Sequence, residues 1–282
     1  MIIMKNNISA CLIIRNEAGL LGRCLKSLAG AVDEIILIHD GKCVDQSLEI
    51  ASQYKAKIFE RPERGYMEAH LPFALREAGG EWILRIDADE YLSQELAANL
   101  RKLTAAEVCA YSFFWPLWDG TREVSSCWPV KTCFFKKNAV SFIALPHALI
   151  RVAGKTALSG FTLYHRPDYD NLSIAVFKSK WLKWARTQAR IYFKDFSAVE
   201  KFNCDEKSWP LKIRLRKKLP LALLPLEFFW TFADNLASGA LKAGQAGLKT
   251  AFFRGLYRAT VNYRVYAEKR LLKKYLLNKT SC

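Results

Sequence analysis

A chain of 282 residues with 51% apolar, 13% aromatic and 25% charged residues is long and apolar enough to bury a full core, which excludes an intrinsically disordered protein. The net charge is +16, and all of the excess sits at one end: residues 1–170 hold 20 Lys and Arg against 20 Asp and Glu, whereas residues 171–282 hold 23 against 7. That asymmetry predicts a polyanionic partner for the C-terminal part, either nucleic acid or an anionic membrane surface. The eight cysteines include no C-x-x-C pair, and the first residues show neither a basic, signal-like start nor a cleavage site. Reduced thiols and a cytoplasmic location are therefore expected.

Ile8 to Ile14 is a short, nearly continuous apolar run that predicts a buried strand. It is followed by Arg15-Asn16-Glu17 and then by Leu21, Cys24, Leu25 and Leu28 at helical spacing. Glu34 to Ile38 predicts a second strand ending in His39-Asp40-Gly41. Next come a helix with Leu48, Ala51 and Tyr54 on one face and a third strand over Lys57 to Glu60. A helix from about Tyr66 to Ala78, with Pro72 in its early part and Gly79-Gly80 after it, leads into an apolar strand that begins at Trp82. Four strands alternating with helices in about 90 residues predict a parallel, Rossmann-like sheet. Ligands of such sheets sit beyond the carboxyl ends of the strands. No G-x-G-x-x-G follows the first strand, so a dinucleotide fingerprint is absent.

The fourth strand is expected to carry Asp87 and Asp89 at its end, on one side because side chains alternate along a strand. Two hard oxygen ligands at that place suit Mg or Mn, which takes one or two protein carboxylates and also holds phosphate oxygens. A nucleoside diphosphate substrate is suggested; the alternative for so short a motif is that the acids only end the strand and cap the next helix.

After a helix over Ser93 to Leu103 the pattern loosens. Aromatic rings interleave with turn residues from Tyr111 to Gly120, a reading that fits either a sugar-stacking platform or plain core, and Thr132 to Phe135 predicts a hairpin strand. From about residue 171 the chain becomes helical and basic. Lys212 to Lys218 runs into Leu219 to Ala233, an apolar stretch broken by Pro220, Pro225 and Glu227. It is too short and interrupted for an ordinary membrane span. An interfacial location is expected instead, with Arg214, Arg216, Lys217 and Lys218 attracting anionic lipid and Phe228, Phe229 and Trp230 entering it; the alternative is a buried helical hairpin packed on the N-terminal domain.

Ile8 to Glu17, Glu34 to Asp45, Arg61-Pro62, Gly65 and Ile86 to Glu90, in that order and spacing, give the first 105 residues a resemblance to the family 2 glycosyltransferases of the GT-A fold. The nearest likeness is to bacterial members that add sugars to lipopolysaccharide core or a similar envelope glycolipid, and a weaker likeness continues through Pro146-His147 and Leu163-Tyr164-His165. The resemblance implies an α/β, Rossmann-like GT-A fold with a mainly parallel sheet over 1–170, divided into a nucleotide-sugar half (1–105) and an acceptor half (106–170). Residues 171–282 then form a basic, mainly helical extension. It also implies that Arg15, Asn16, Glu17, Asp40, Arg64 and Asp87 bind the nucleotide sugar, and that Asp87 and Asp89 hold the divalent ion with His165 completing its shell. Ala148 departs from the acidic residue that commonly follows the histidine matching His147, and Leu71-Pro72 stands where an Arg-Asn pair is common.

The expected reaction is inverting, metal-dependent transfer of a hexose to an acceptor hydroxyl of a lipid-linked or envelope glycan. His147, Asp119, Asp168 and Asp170 are the candidates for the base that removes the hydroxyl proton. The expected location is the inner face of the cytoplasmic membrane, held peripherally. The rival reading is a non-catalytic binder of nucleic acid or another polyanion through the basic, Trp-rich part, but such a ligand has no need of the apolar run beside the charge. A nucleotidyltransferase would also use strand-end acids and metal, and the Gly-rich, Lys-bearing phosphate loop typical of that class is absent near Ile14.

Overall fold

The computed structural model describes residues 7–204 and 207–279; Cys282 lies outside them. Two compact units emerge. The first runs to Asp168 and takes in Glu200–Cys204, and the second comprises Tyr169–Val199 with the remainder of the chain.

The first unit is built on an eight-stranded sheet. Its strands are β1 (Ile8–Ile14), β2 (Glu34–Asp40), β3 (Lys57–Arg61), β4 (Trp82–Arg85), β5 (Glu90–Leu92), β6 (Ala110–Phe114), β7 (Val130–Lys136) and β10 (Thr156–His165). A small second sheet joins β8 (Val140–Ile143), β9 (Arg151–Val152) and β11 (Lys201–Phe202). The order in the large sheet is β3-β2-β1-β4-β7-β6-β10-β5. Its first four strands are parallel to one another, and β7 pairs antiparallel with both β4 and β6. All seven residues of β1 are buried, as expected of a strand covered on both faces. The helices of this unit are α1 (Ala18–Leu28), α2 (Ser47–Gln53), α3 (Leu71–Glu77) and α4 (Gln94–Leu103). α1 buries Leu21, Cys24, Leu25 and Leu28, and Ser93 caps α4 by accepting a hydrogen bond from the Leu96 amide at 3.0 Å, an arrangement worth about 1 kcal/mol.

Glycine is required where β4 begins. A Cβ on Gly80 would lie 2.7 Å from the Ser9 backbone nitrogen and 2.5 Å from its hydroxyl, so only a bare Cα lets β4 start beside β1. The fourth strand is shorter than its apolar run suggests, ending at Arg85. Beyond it the Glu90 amide donates to the Asp87 carbonyl at 3.0 Å and closes a turn. The alternation survives the end of the ladder: Ile86, Ala88 and Glu90 are buried, while Asp87 and Asp89 are partly exposed. Part of the aromatic stretch proves to be core, since Tyr111 and Phe113 are buried and join Trp82 around Phe134, with the Trp82 and Phe134 rings 4.7 Å apart.

The second unit is helical. Its helices are α5 (Ile174–Val176), continued by a wider turn (Phe177–Trp181) into α6 (Leu182–Ile191), then α7 (Leu211–Lys218), α8 (Pro220–Ala237) and α9 (Gly244–Lys279). Phe177 stacks on Phe253 at 5.4 Å, and the Tyr257 hydroxyl donates to Gln188 Oε1 at 3.1 Å. One expected lipid contact is corrected here. Arg216 is buried, donating through Nε to Glu227 Oε1 and through Nη1 to the Tyr192 hydroxyl, both at 2.8 Å. Glu227, which interrupts the apolar run, is thus the counterion that a buried guanidinium demands. Phe228 is half-buried, its ring 5.7 Å from that of Phe252 and its carbonyl near Gly255. Among the described residues no helix is long and apolar enough to cross a membrane.

Candidate active site

The carboxyl ends of β1 and β2 are laced together by side chains acting on backbone. Asn16 adopts a left-handed φ of 52°, which asparagine tolerates better than most residues. Its amide N–H donates to His39 Nε2 at 3.2 Å, and His39 Nδ1 donates to the Gly41 carbonyl at 2.8 Å. Asn16 Oδ1 accepts from the Val44 amide at 3.0 Å, and the Glu17 amide donates to Ser47 Oγ at 2.8 Å. Asp45 accepts from the amides of Ala18 (3.0 Å) and Ser47 (2.9 Å). Slight burial acts against its ionisation, yet these hydrogen bonds outweigh it and hold the Asp45 carboxyl down at about 2.

Asp40 is fully buried. It accepts from the amides of Arg64 (2.6 Å) and Gly65 (3.0 Å) and from His70 Nε2 (2.7 Å). Burial would raise its pKa, but the three donors keep it below the ordinary carboxylate value. Both Asp40 oxygens are therefore committed to shaping the loop at Arg64-Gly65, whose left-handed Gly65 (φ 76°) has no Cβ to strain. Arg15 pairs with Glu63 of the same loop, and the Arg64 side chain is exposed. Arg15, Asn16, Glu17, Asp40 and Arg64 are thus assembled around two adjoining strand ends, Asp40 as the buried organiser.

At the end of β4 the sheet topology collects a second group. β7 runs antiparallel to β4, with Leu84 opposite Phe134, so the start of β7 delivers Lys131 to the turn after Arg85. Its ammonium donates to Asp87 Oδ2 at 2.7 Å and to Glu90 Oε1 at 2.5 Å. β5 pairs antiparallel with β10, placing Glu90 opposite His165, and the Arg166 amide donates to the Asp89 carbonyl at 2.8 Å. The outcome is a His165 Nε2 to Asp89 Oδ2 contact of 3.2 Å. Trp115, at the end of β6, stacks on the His165 ring at 4.0 Å between centroids and donates Nε1–H to Glu90 Oε1 at 2.6 Å. Lys131, Glu90 and Trp115 were not among the expected site residues. Glu90 falls in the motif Ile86 to Glu90 and Trp115 in the aromatic stretch, whereas nothing around Lys131 in the sequence signals its role.

The charges of this group are tightly linked. Desolvation acts against the ionised form of Asp87, but the neighbouring Lys131 and Arg85 cations prevail and hold its carboxyl well below the usual range. Glu90 moves the opposite way: burial raises it and the Asp87 and Asp89 charges add to the rise, only partly offset by Lys131. Burial opposes the Lys131 charge, yet the two carboxylates raise its pKa, so it stays an ammonium at neutral pH.

A divalent ion fits the Asp89–His165 pair. With ligand bonds of about 2.1 Å, adjacent corners of an octahedron lie about 3.0 Å apart, close to the 3.2 Å between the two donor atoms. Asp87 is engaged instead by Lys131. Among the described residues no three His, Cys, Asp or Glu side chains gather into a metal cage.

The candidate bases lie in different settings. Asp119 Oδ1 accepts from the Thr121 amide, the Thr121 hydroxyl and the Arg122 amide, and these bonds hold its carboxyl down at about 2, so it is a turn-former and a weak base. Asp168 is exposed. Asp170 belongs to the second unit, where it accepts from the Leu172 amide at 2.7 Å. His147, with a left-handed φ of 55°, is half-buried and its amide donates to Glu68 Oε1 at 3.0 Å.

Residues 9–138 match the model of glycosyl transferase family 2. An uncharacterized glycosyltransferase of Rickettsia felis is 38% identical over 99 residues, which are 35% of this chain and 34% of the relative. The lipopolysaccharide core biosynthesis glycosyltransferase LpsC of Rhizobium meliloti is 33% identical over 108 residues, 37% of this chain and 39% of that one. The chain thus spans well under half the length of these curated relatives. Among solved structures, the mannosyltransferase PcManGT from Pyrobaculum calidifontis, in complex with GDP-Man and Mn2+, superposes with a TM-score of 0.50 at 15% identity, covering 93% of this chain and 88% of that one. That likeness is one of fold, and the fold is the α/β, Rossmann-like GT-A type with a helical C-terminal part.

Proposed function

We propose that this chain, in which residues 9–138 are a glycosyl transferase family 2 domain, transfers a sugar from a nucleoside diphosphate sugar to an acceptor hydroxyl with inversion. The observation that carries the proposal is the convergence of Asp89 Oδ2 and His165 Nε2 at 3.2 Å beyond the end of a parallel strand, where α/β sheets bind their ligands. Asp89 and His165 would hold Mg or Mn, which when bound acts as a Lewis acid toward the leaving diphosphate. The solved protein of the same fold holds GDP-Man and Mn2+, which supports that class of donor and ion here. Trp115 fixes the plane of the His165 ring by stacking on it, and Lys131 fixes Asp87 against the nucleotide side of the site. Arg15, Asn16, Glu17 and Arg64 line the donor pocket.

As the acceptor hydroxyl attacks the anomeric carbon from the face opposite the diphosphate, its proton passes to a base. We assign that role to His147, because the hydrogen bonds on Asp119 make it too weak. The acceptor is a lipid-linked or envelope glycan, a reading supported by the likeness to LpsC, and the basic helical unit keeps the enzyme on the cytoplasmic face of the membrane.

A screen of nucleotide sugars for hydrolysis and transfer with Mg or Mn tests the assignment. Asp89→Ala is expected to lower metal-dependent turnover at least about a hundredfold with the fold retained. Unchanged turnover would remove the ion from this site. His147→Ala should depress transfer far more than slow donor hydrolysis, and an equal loss in both would reduce His147 to shaping the pocket.

A further inference from the structure

α8 leaves much of its apolar surface uncovered. Its solvent face carries Leu221, Pro225, Leu226, Phe229 and Trp230, all exposed, with Phe229 at 66% and Trp230 at 75%. Its inner face carries partnered polar residues beside the half-buried Leu223, Leu224, Phe228 and Phe232. Glu227 meets the buried Arg216, and Asn235 gives its Nδ2–H to the Thr231 carbonyl at 2.7 Å while its Oδ1 accepts from Arg254 at 2.8 Å. A surface helix in water keeps its apolar stripe toward the core. α7 adds a second apolar stripe: Leu211, Leu215 and Leu219 recur every four residues and are exposed. Lys212 lies on one side of that stripe and Arg214 and Lys218 on the other, all three exposed.

We infer that the outer faces of α7 and α8 are a docking surface for a monolayer of anionic phospholipid, lying in the plane of the interface. Charge decides the occupant. The exposed ionic groups on these two helices are cationic apart from Asp234, and long basic side chains can lay their stems along apolar surface with their heads at phosphate level. A second copy seated symmetrically on the same face would bring the same cations together. Among the described residues no helix is long and apolar enough to cross a membrane, which fits a helix lying in the plane of the interface. The inference rests on the proposed glycosyltransferase only for what the surface delivers to the site, because the surface itself belongs to α7 and α8.

The test is flotation of the full chain with vesicles of phosphatidylcholine and with vesicles of phosphatidylcholine and phosphatidylglycerol, over a salt series, with no donor present. Wild type should bind the anionic vesicles, with a blue shift in tryptophan fluorescence that Trp230→Phe diminishes. Replacing Phe229 and Trp230 with Ser should lower the partition coefficient by about a hundredfold at every salt concentration. Replacing Lys212, Arg214 and Lys218 with Gln should lower it about a hundredfold at low salt and much less at high salt. Circular dichroism and donor hydrolysis should be unchanged in both variants, which separates failure of the surface from failure of the catalytic reading. Wild type ignoring both vesicle types, the Phe229/Trp230 variant binding as wild type does, or a dimer in solution that Trp230→Ser dissociates would each overturn the inference.

Discussion

At the scale of single residues the site is governed by one cation that the protein supplies itself. Lys131 is largely buried and touches both Asp87 and the fully buried Glu90, so removing it strands two carboxylates. Losing one partner of a buried pair costs about 3–5 kcal/mol, and because Asp87 is partly exposed the lower end is expected for Lys131→Met in chemical denaturation. Glu90→Gln in the same background should restore part of the loss, and no recovery would show that Lys131 acts elsewhere. The pH dependence has a definite sign. Glu90 already has a raised pKa in the folded chain, and without Lys131 it rises further. A raised folded-state pKa favours the fold below the unfolded value and loses that benefit as pH rises, so the deficit of Lys131→Met should shrink as pH falls. Asp45 behaves oppositely. Its folded value of about 2 lies below the ordinary one, so its stabilisation of the paired β1 and β2 loops is present above about pH 4 and is lost as pH falls toward 2. The stability difference between wild type and Asp45→Asn should therefore narrow over that interval, and a difference that is flat with pH would refute the role.

At the scale of elements, the start of β4 offers the clearest test of packing. Gly80→Ala drives a methyl group into the Ser9 backbone at 2.7 Å, and overpacking of this kind costs about 1–3 kcal/mol. Gly79→Ala meets only the end of the Glu34 side chain at 3.3 Å and should cost much less, so similar losses in denaturant midpoint would deny that β1 and β4 approach at Gly80. The same strands show what sequence can and cannot reveal. β1 to β4 were legible because each is a short apolar run followed by a helix of clear period, a local signal. β10 was not, because exposed and half-buried residues alternate along most of it and its register shifts between Leu158 and Thr162, which blurs a period of two. β6 was hidden among aromatics that fit core or platform equally well. Asp87 and Asp89 could be singled out from their spacing alone, whereas Lys131 is 44 residues from Asp87 and reaches it only through antiparallel pairing of β7 with β4. Arg216 misled for a related reason: five cations in seven positions read as one charged surface, and only the helix geometry shows that Glu227 claims one of them.

At the scale of the whole molecule, the charge asymmetry and the apolar faces belong to the same part of the chain, and together they separate the rival ligands. Binding of duplex nucleic acid would be electrostatic and would fall steeply with salt, whereas a lipid surface that also takes up Phe229 and Trp230 keeps a salt-independent share of its affinity. If the acceptor is lipid-linked, confinement of enzyme and acceptor to one surface replaces bulk encounter by a local concentration set by geometry, an effect that commonly exceeds tenfold. The apparent kcat/KM for a glycolipid acceptor should then be at least about tenfold higher on anionic vesicles than in neutral detergent micelles. The advantage should fall as salt rises, and it should be missing from the Phe229/Trp230 double serine variant. Donor hydrolysis without acceptor should be the same in vesicles and micelles, because the Asp89 and His165 site belongs to the first unit and α7 and α8 to the second. Equal kcat/KM in the two presentations, with vesicle binding intact, would detach the docking surface from catalysis and point to a water-soluble acceptor.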